Sequence, residues 1–437
     1  MLKKLKRCKN LKEIYDTIPE EYYEKGSLFI IFLMLFMIVA ETTVRYITRH
    51  AALNEMVRYF YFAGYTAVVF TVAVLTIKIA GVGVKGIKEY LKRNPYDITL
   101  IIMLLWAFVS VVCSDYIKTA FLGNWFRQSG FRTYLIYASL YICGKNIKQQ
   151  KTRLRIYLAF GVVSTLQNML LITHSLGYYG CKTGAFYNTN HSGYFIAMSV
   201  FAIIALISED KRLYMKAAGV AMYVVNVWCL IINNTFGAYI AVLLGLVFLV
   251  IISLIKNRKV NRMVLLSVLL FIAVSAYTDS KTNIISANFG VTGNDIIKIA
   301  EGSEDADRAG TGRWELWVNA VKYIKKEPLF GSGPDCLTEI EKRVVDKEAK
   351  EGILSEPHNE YLQYAAEIGI FPALCYIASL LMIVVFRLRE LKKAEDSLIY
   401  KGAVVFVYCV SAFFGVIFFY TAVYFFFFLG MSSKRHA

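Results

Sequence analysis

The chain has 437 residues, of which 57% are hydrophobic, 15% aromatic and only 19% charged. That balance excludes an ordinary soluble domain and fits a chain threaded through a bilayer. The formal net charge of +17 would suit a nucleic-acid binder, but the basic residues fall in short runs between apolar blocks, so topology accounts for them and no nucleic-acid partner is expected.

A membrane-spanning helix needs about 20 apolar residues, and twelve blocks are read as spans. In chain order they are Ser27–Ile47, Val57–Ile79, Asp97–Cys113, Phe131–Cys143, Leu154–Ile172, Gly193–Ile207, Ala217–Ile232, Gly237–Ile255, Met263–Tyr277, Phe371–Phe386, Gly402–Ile417 and Tyr420–Met431. The last two could be one broken element, because Phe418–Thr421 leaves little room for a turn. The basic residues 1–25, with no small-residue cleavage site after a short apolar core, do not read as a cleavable signal peptide. The expected fold is therefore an all-α polytopic membrane protein of about twelve transmembrane helices. Three regions follow: residues 1–276 with nine spans, a polar loop over 277–370 containing short helices, and residues 371–437 with three spans.

Orientation is read from lysine and arginine. The connectors Met1–Lys25, Lys85–Arg93, Lys145–Arg155, Lys211–Lys216, Lys256–Arg262, Arg387–Lys401 and Ser432–Ala437 are basic, and with twelve spans they share one side. The positive-inside rule makes that side cytoplasmic, with both termini inside and the 277–370 loop outside. Arg45–Arg58, also basic, is the exception.

Two clusters stand out in the large loop. In the first, Thr311-Gly312-Arg313-Trp314-Glu315-Leu316-Trp317, Thr311 is read as an N-cap, and Leu316, Trp317, Ala320, Val321 and Ile324 recur at helical spacing. Pro328 stops the helix, and Gly331, Gly333 and Pro334 make a turn. Arg313 then sits in the first turn, where a cation is mildly disfavoured, typically by ~0.3–1 kcal/mol. That placement makes sense if a strong anion such as a diphosphate binds the arginine and the helix end together; a solvated arginine stacked on Trp317 is the equal alternative. In the second cluster, Glu356-Pro357-His358-Asn359-Glu360-Tyr361-Leu362, Pro357 suits the first helical position with Ser355 or Glu356 as cap. His358 then lies in the first turn, neutral and able to accept a proton, or is an ordinary first-turn histidine. Leu362, Ala365 and Ile368 continue an apolar face until Gly369 and Pro372.

Other outside connectors carry candidate ligand contacts. Arg127 and Arg132 stand among aromatics at the edge of the fourth span. Snorkelling to headgroups is the simpler reading for Arg132, and Arg127 leans toward an anionic donor; both are carried as candidate donor contacts. Asn188 and Asn190 either cap the sixth span or hydrogen-bond sugar hydroxyls. His191 reads as a capping residue, Ser286, Asn288 and Asn294 as loop polarity, and Asp305, Asp307 and Arg308 as a solvated charge cluster. The eight cysteines lack a CxxC pattern. Cys181 and Cys336 both fall on outside loops, and whether they pair is open. No cofactor or metal site is evident. There is no phosphate loop or dinucleotide fingerprint, so an activated donor used outside the cell must arrive on a lipid.

At these residues the chain resembles the O-antigen ligase and Wzy-type polysaccharide polymerase superfamily of bacterial envelope glycosyltransferases. The resemblance rests on Gly312-Arg313 with Trp317, on Pro328-Leu329-Phe330-Gly331-Ser332-Gly333, and on His358-Asn359-Glu360-Tyr361-Leu362-Gln363 followed by Glu367-Ile368-Gly369. Arg127 with Gly130, and Phe186-Tyr187-Asn188-Thr189-Asn190 with Gly193, match less closely. Many members carry Ser-Arg-Gly where this chain reads Thr235-Phe236-Gly237. The resemblance implies a metal-independent glycosyltransferase of the bacterial cytoplasmic membrane. Its partners would be an undecaprenyl-diphosphate-linked glycan donor, a glycan acceptor, membrane lipids and other polysaccharide-assembly proteins. His358 would handle the acceptor hydroxyl and Arg313 the leaving diphosphate, with Arg127, Arg132, Asn188, Asn190, Trp317 and Asn359 near the donor. With no arginine at Phe236, polymerisation of an exopolysaccharide or capsule is favoured over ligation. A lipid-linked glycan flippase is the alternative of another class, although the charges within spans are few.

Overall fold

A computed structural model describes residues 5–50, 53–178, 180–303, 308–340, 356–391 and 396–433. Asp305, Asp307 and Ser355, which entered the sequence reading, lie outside the described residues. Among those residues the regular structure is helical throughout. The N-terminal half runs through α1 (Leu11–Thr17), α2 (Glu20–Thr48), α3 (Leu53–Arg93), α4 (Pro95–Cys113), α5 (Ile117–Leu122), α6 (Phe131–Asn146), α7 (Gln150–Ser175) and α8 (Thr189–Glu209). It continues through α9 (Leu213–Ile232), α10 (Phe236–Asn257), α11 (Arg262–Thr282), α12 (Ile284–Glu301), α13 (Arg313–Lys326), α14 (Glu360–Ile368), α15 (Ile370–Glu390), α16 (Asp396–Ala412) and α17 (Phe419–Ser433).

Eleven of the twelve apolar blocks fall wholly on helices, and Gly402–Ile417 runs five residues past the end of α16. Among the described residues nine helices are long and apolar enough to cross a membrane: α2, α3, α4, α7, α8, α9, α10, α11 and α15. The other three blocks form α6, α16 and α17, of 16, 17 and 15 residues. At 1.5 Å per residue a helix of 15 residues reaches only about 22 Å, short of a ~30 Å hydrocarbon core. The last two blocks are two elements, separated by the non-helical stretch Phe413–Phe418.

α17 is the hub of the bundle. All 15 of its residues are buried, and its phenylalanine run meets helices on every side. Phe419 packs on Phe60 of α3 with ring centroids 4.8 Å apart, Phe426 stacks on Tyr137 of α6 at 4.9 Å, and Phe428 packs on Phe160 of α7 at 4.8 Å. Tyr408 of α16 stacks on Phe425 at 4.2 Å. In lipid, association of helices depends on close packing rather than on an aqueous hydrophobic effect. The α6–α17 contact shows this at two glycines: a Cβ on Gly144 would stand 2.0 Å from the Phe427 carbonyl oxygen, and one on Gly430 would stand 2.0 Å from that of Tyr141.

The loop after α13 docks onto α4 through a stripe of donors spaced by four residues. Trp106 Nε1 donates to the Leu329 carbonyl (2.9 Å), Ser110 Oγ to that of Phe330 (2.5 Å), and Ser114 Oγ to that of Ser332 (2.6 Å). The loop in turn receives the end of α14: Ser332 and Gly333 donate their N–H groups to the carbonyls of Ala366 and Glu367. Backbone groups that would be orphaned at the end of the helix are thereby paired.

The pairing of Cys181 and Cys336 left open by spacing does not occur. Both are free thiols; Cys181 Sγ accepts from Arg45 Nη1 at 3.1 Å, and Cys336 lies buried beside Ser114. Ser286, Asn288 and Asn294, read as loop polarity, stand on α12 instead, because Ile284, Ile285, Phe289, Ile296 and Ile299 supply a helical apolar pattern around them.

Replacing Gly144 with leucine should separate α6 from α17. The expected cost is about 1–3 kcal/mol or more, since backbone rather than a flexible side chain must yield, and it is read as a lowered unfolding temperature of the detergent-solubilised protein.

Candidate functional site

Arg313 is the first residue of α13, as the sequence suggests, but the cap is not Thr311. Gly312 holds that position at φ +82 without a side-chain bond, while Thr311 stands at φ +61 with its hydroxyl on the Gly310 carbonyl. Gly310, Thr311 and Gly312 form an uninterrupted left-handed run. Two glycines adopt it freely, and a β-branched threonine does so only under constraint. Arg313 is half-buried, and its Nε is buried with no hydrogen-bond partner among the described residues. Trp317, one turn on, packs edge-on against Phe413 (5.4 Å), and its indole N–H is likewise buried without an acceptor there.

His358 lies two residues before α14 rather than in its first turn. Asn359 is the cap, its side-chain oxygen accepting from the N–H groups of Tyr361 and Leu362 at 3.1 Å each. An asparagine that satisfies two orphan donors outcompetes the Pro357 start read from sequence. His358 takes φ +46, which no helical residue can hold, and its buried Nδ1 has no hydrogen-bond partner among the described residues. Burial, then Arg313, then Arg127 push its pKa down from 6.5 to about 4. The imidazole is thus neutral as expected, but the cause is desolvation with two guanidinium neighbours rather than a helix dipole.

The two segments meet over a small apolar cluster in which Ile324 of α13 packs with Leu337 and Ala366, beside Leu362 and Ala365 of α14. Arg127 arrives from the connector before α6 and forms an ion pair with Glu356, two residues from His358. That connector is clamped by Asp335, whose Oδ2 accepts from the backbone N–H of Asn124 (2.6 Å) and of Ser129 (2.9 Å). Burial pushes the Asp335 pKa up to about 6, although both hydrogen bonds and Arg127 oppose the rise. Asp335 itself stands at φ +60, a strained position that the surroundings impose.

Other sequence candidates are placed differently. Arg132 lays its guanidinium over the Tyr61 ring at 3.7 Å and donates to Gln128 Oε1 at 2.8 Å. Asn188 caps α8, accepting from the Asn190 N–H at 2.8 Å. Phe236, where many members have arginine, meets Phe289 edge-on.

The site also holds groups the sequence reading passed over. His191, read as a capping residue, leaves that role to Asn188: it is 1% exposed, its Nδ1 lies 3.1 Å from Thr421 Oγ1, and its ring packs against Phe418 and Tyr420. It is coupled electrostatically to His358 and Arg127. Below His358, α14 turns a polar stripe into the core. Glu360 accepts from Tyr376 and Tyr408, both at 2.9 Å, and burial raises its pKa to about 7. Glu367 accepts from Gln363 Nε2, whose own amide oxygen accepts from the Ile417 N–H; burial and then Asp335 raise the Glu367 pKa to about 8. The i, i+3, i+7 spacing of Glu360, Gln363 and Glu367 was the available signal. Among the described residues no three His, Cys, Asp or Glu side chains group so as to hold a metal ion.

Residues 221–377 match the family described as O-antigen ligase. That match takes in Arg313 and His358, and it supports placing this multi-pass membrane protein in the O-antigen ligase and Wzy polymerase superfamily. No curated protein matches the chain.

Asn359→Ala should cost ~1 kcal/mol through loss of the cap, with α14 fraying beside His358; a faster amide exchange at Tyr361 and Leu362 is the measurement. Asp335→Ala should release the Asn124–Ser129 connector, read as increased protease cutting there.

Proposed function

We propose that this protein lengthens an envelope polysaccharide by joining lipid-linked repeat units on the outer face of the bacterial cytoplasmic membrane. In this reading both termini are cytoplasmic, residues 1–276 and 371–437 form the membrane region, and 277–370 is the working loop outside. The observation that carries it is the meeting of a neutral His358 with Arg313 and Arg127, three groups from separate parts of the chain.

The chemistry follows from those groups. The acceptor hydroxyl gives its proton to His358 as its oxygen attacks the anomeric carbon of the donor sugar. The bond from that carbon to the diphosphate oxygen breaks, and undecaprenyl diphosphate leaves with the electron pair. Arg313 and Arg127 offset the charge that develops on it, without a metal ion. Arg127 must exchange Glu356 for the diphosphate when the donor binds. Trp317 and Asn359 flank the donor; Arg132, Asn188 and Asn190 act through the connectors they hold. Phe236 in place of the family's arginine favours polymerisation, while the family description itself keeps transfer of finished glycan to another acceptor as the second reading.

Purified enzyme in proteoliposomes with lipid-linked repeat unit as the only substrate should yield longer glycan on the lipid. A requirement for a second acceptor would favour ligation, and movement of the lipid without elongation would favour a flippase. His358→Ala should abolish elongation while expression and insertion persist; wild-type polymer from that variant would remove His358 from the mechanism. Because the His358 pKa is lowered, its neutral form persists well below pH 6.5, and activity should be lost only as pH falls toward about 4. An acid limb near 6.5 in the pH–rate profile would contradict this.

A further inference from the structure

The helix α12 (Ile284–Glu301) has no buried residue, yet it is built on two opposed flanks. It touches the protein through Asn288 and Asp295 and, on its apolar side, through Ile285, packed against the core, and Phe289, whose ring meets Phe236 edge-on. Asn288 Nδ2 donates to Asn234 Oδ1 at 2.8 Å, and seven residues on Asp295 Oδ2 accepts the Gly310 N–H at 2.9 Å. At 100° per residue, Ile285, Phe289, Ile296 and Ala300 share the flank on one side of the Asn288–Asp295 edge. Phe289 is 47% exposed and Ile296 62%, with Ile297 beyond them at 54%. The other flank carries Gly290, Asn294, Lys298 and Glu301, with Val291 its one large apolar side chain.

This apolar flank continues a surface that already faces lipid. α12 follows the membrane-crossing α11 after one left-handed residue, Asn283 at φ +55, and α11 turns Leu265, Leu269, Ile272 and Tyr277 outward. A helix with one edge on protein, one flank apolar and one polar matches an element lying in the plane of the interface.

We propose that α12 rests in the headgroup–acyl boundary of the leaflet on the candidate-site side, with Ile296 and Ile297 among the lipid chains. Asp295 then ties that surface to the turn at Gly310, three residues before Arg313, so the bilayer sets the height of the Arg313 turn. The partner is a phospholipid surface, and the surface assignment does not rest on the proposed reaction.

The full-length protein in phosphatidylethanolamine–phosphatidylglycerol proteoliposomes tests it. The photoreactive residue p-benzoylphenylalanine is placed at Ile296 or, separately, Asn294, both exposed but on opposed flanks of α12, and adducts are identified by mass spectrometry after irradiation. Lipid adducts from position 296 and none above background from 294 are expected. Position 297 is the second probe should the 296 variant fail to insert. Equal lipid labelling at 294 and 296, no lipid adduct from either apolar position, or adducts to protein in place of lipid would overturn the proposal.

Discussion

The site depends on keeping the irregular backbone between α13 and α14 paired. The segment from Pro328 to Asp335 is not helical, so its carbonyls have no helical partners of their own. Trp106, Ser110 and Ser114 supply partners from α4, and the segment's own N–H groups close the end of α14. One docked loop therefore fixes three things together. It sets where α13 ends, it sets where α14 ends, and through Asp335 it sets the connector that carries Arg127.

Electrostatics then divides the site into layers. The upper layer gathers Arg127, Arg313 and His358, and burial keeps the imidazole uncharged beside two guanidinium groups. The layer beneath holds Asp335, Glu360 and Glu367, each with its pKa raised by desolvation. In a low-dielectric setting this arrangement lets the upper layer stay cationic, since the carboxyls below are partly neutral and already occupied with tyrosine, glutamine and backbone donors. Glu356 is different: it sits in the upper layer on Arg127, where an anion would otherwise stand.

The apolar blocks were legible because burial in lipid writes itself into long runs, and each such run became a helix. Arg313 was legible too, since the Pro328 stop and helical spacing bracket its helix. What escaped were features whose partners are remote in sequence. Asp335 and Asn124 are 211 residues apart and His191 and Thr421 are 230 apart, so neither contact leaves a local pattern. α12 escaped for another reason: Gly290 and Gly293 interrupt its helical signal, and only the arrangement of Phe289 and Ile296 reveals it. The caps at Gly312 and Asn359 were each misjudged by a residue or more, because cap choice depends on which donor finds a side chain in three dimensions.

The enclosed position of α17 carries a consequence for biogenesis. The helices that surround it, α3, α6, α7 and α16, all precede it in the chain, so they leave the ribosome before the rod that fills the space between them. Until Phe419–Ser433 arrives, the tyrosine and phenylalanine rings at 60, 137, 160 and 408 have no common partner. Packing of that helix closes the bundle around these four rings. The connector Phe413–Phe418, which touches Trp317 and His191, is drawn into place by that same closure. Maturation of the pocket and completion of the membrane bundle are thus one step, and a chain stalled before it would be inserted yet inert.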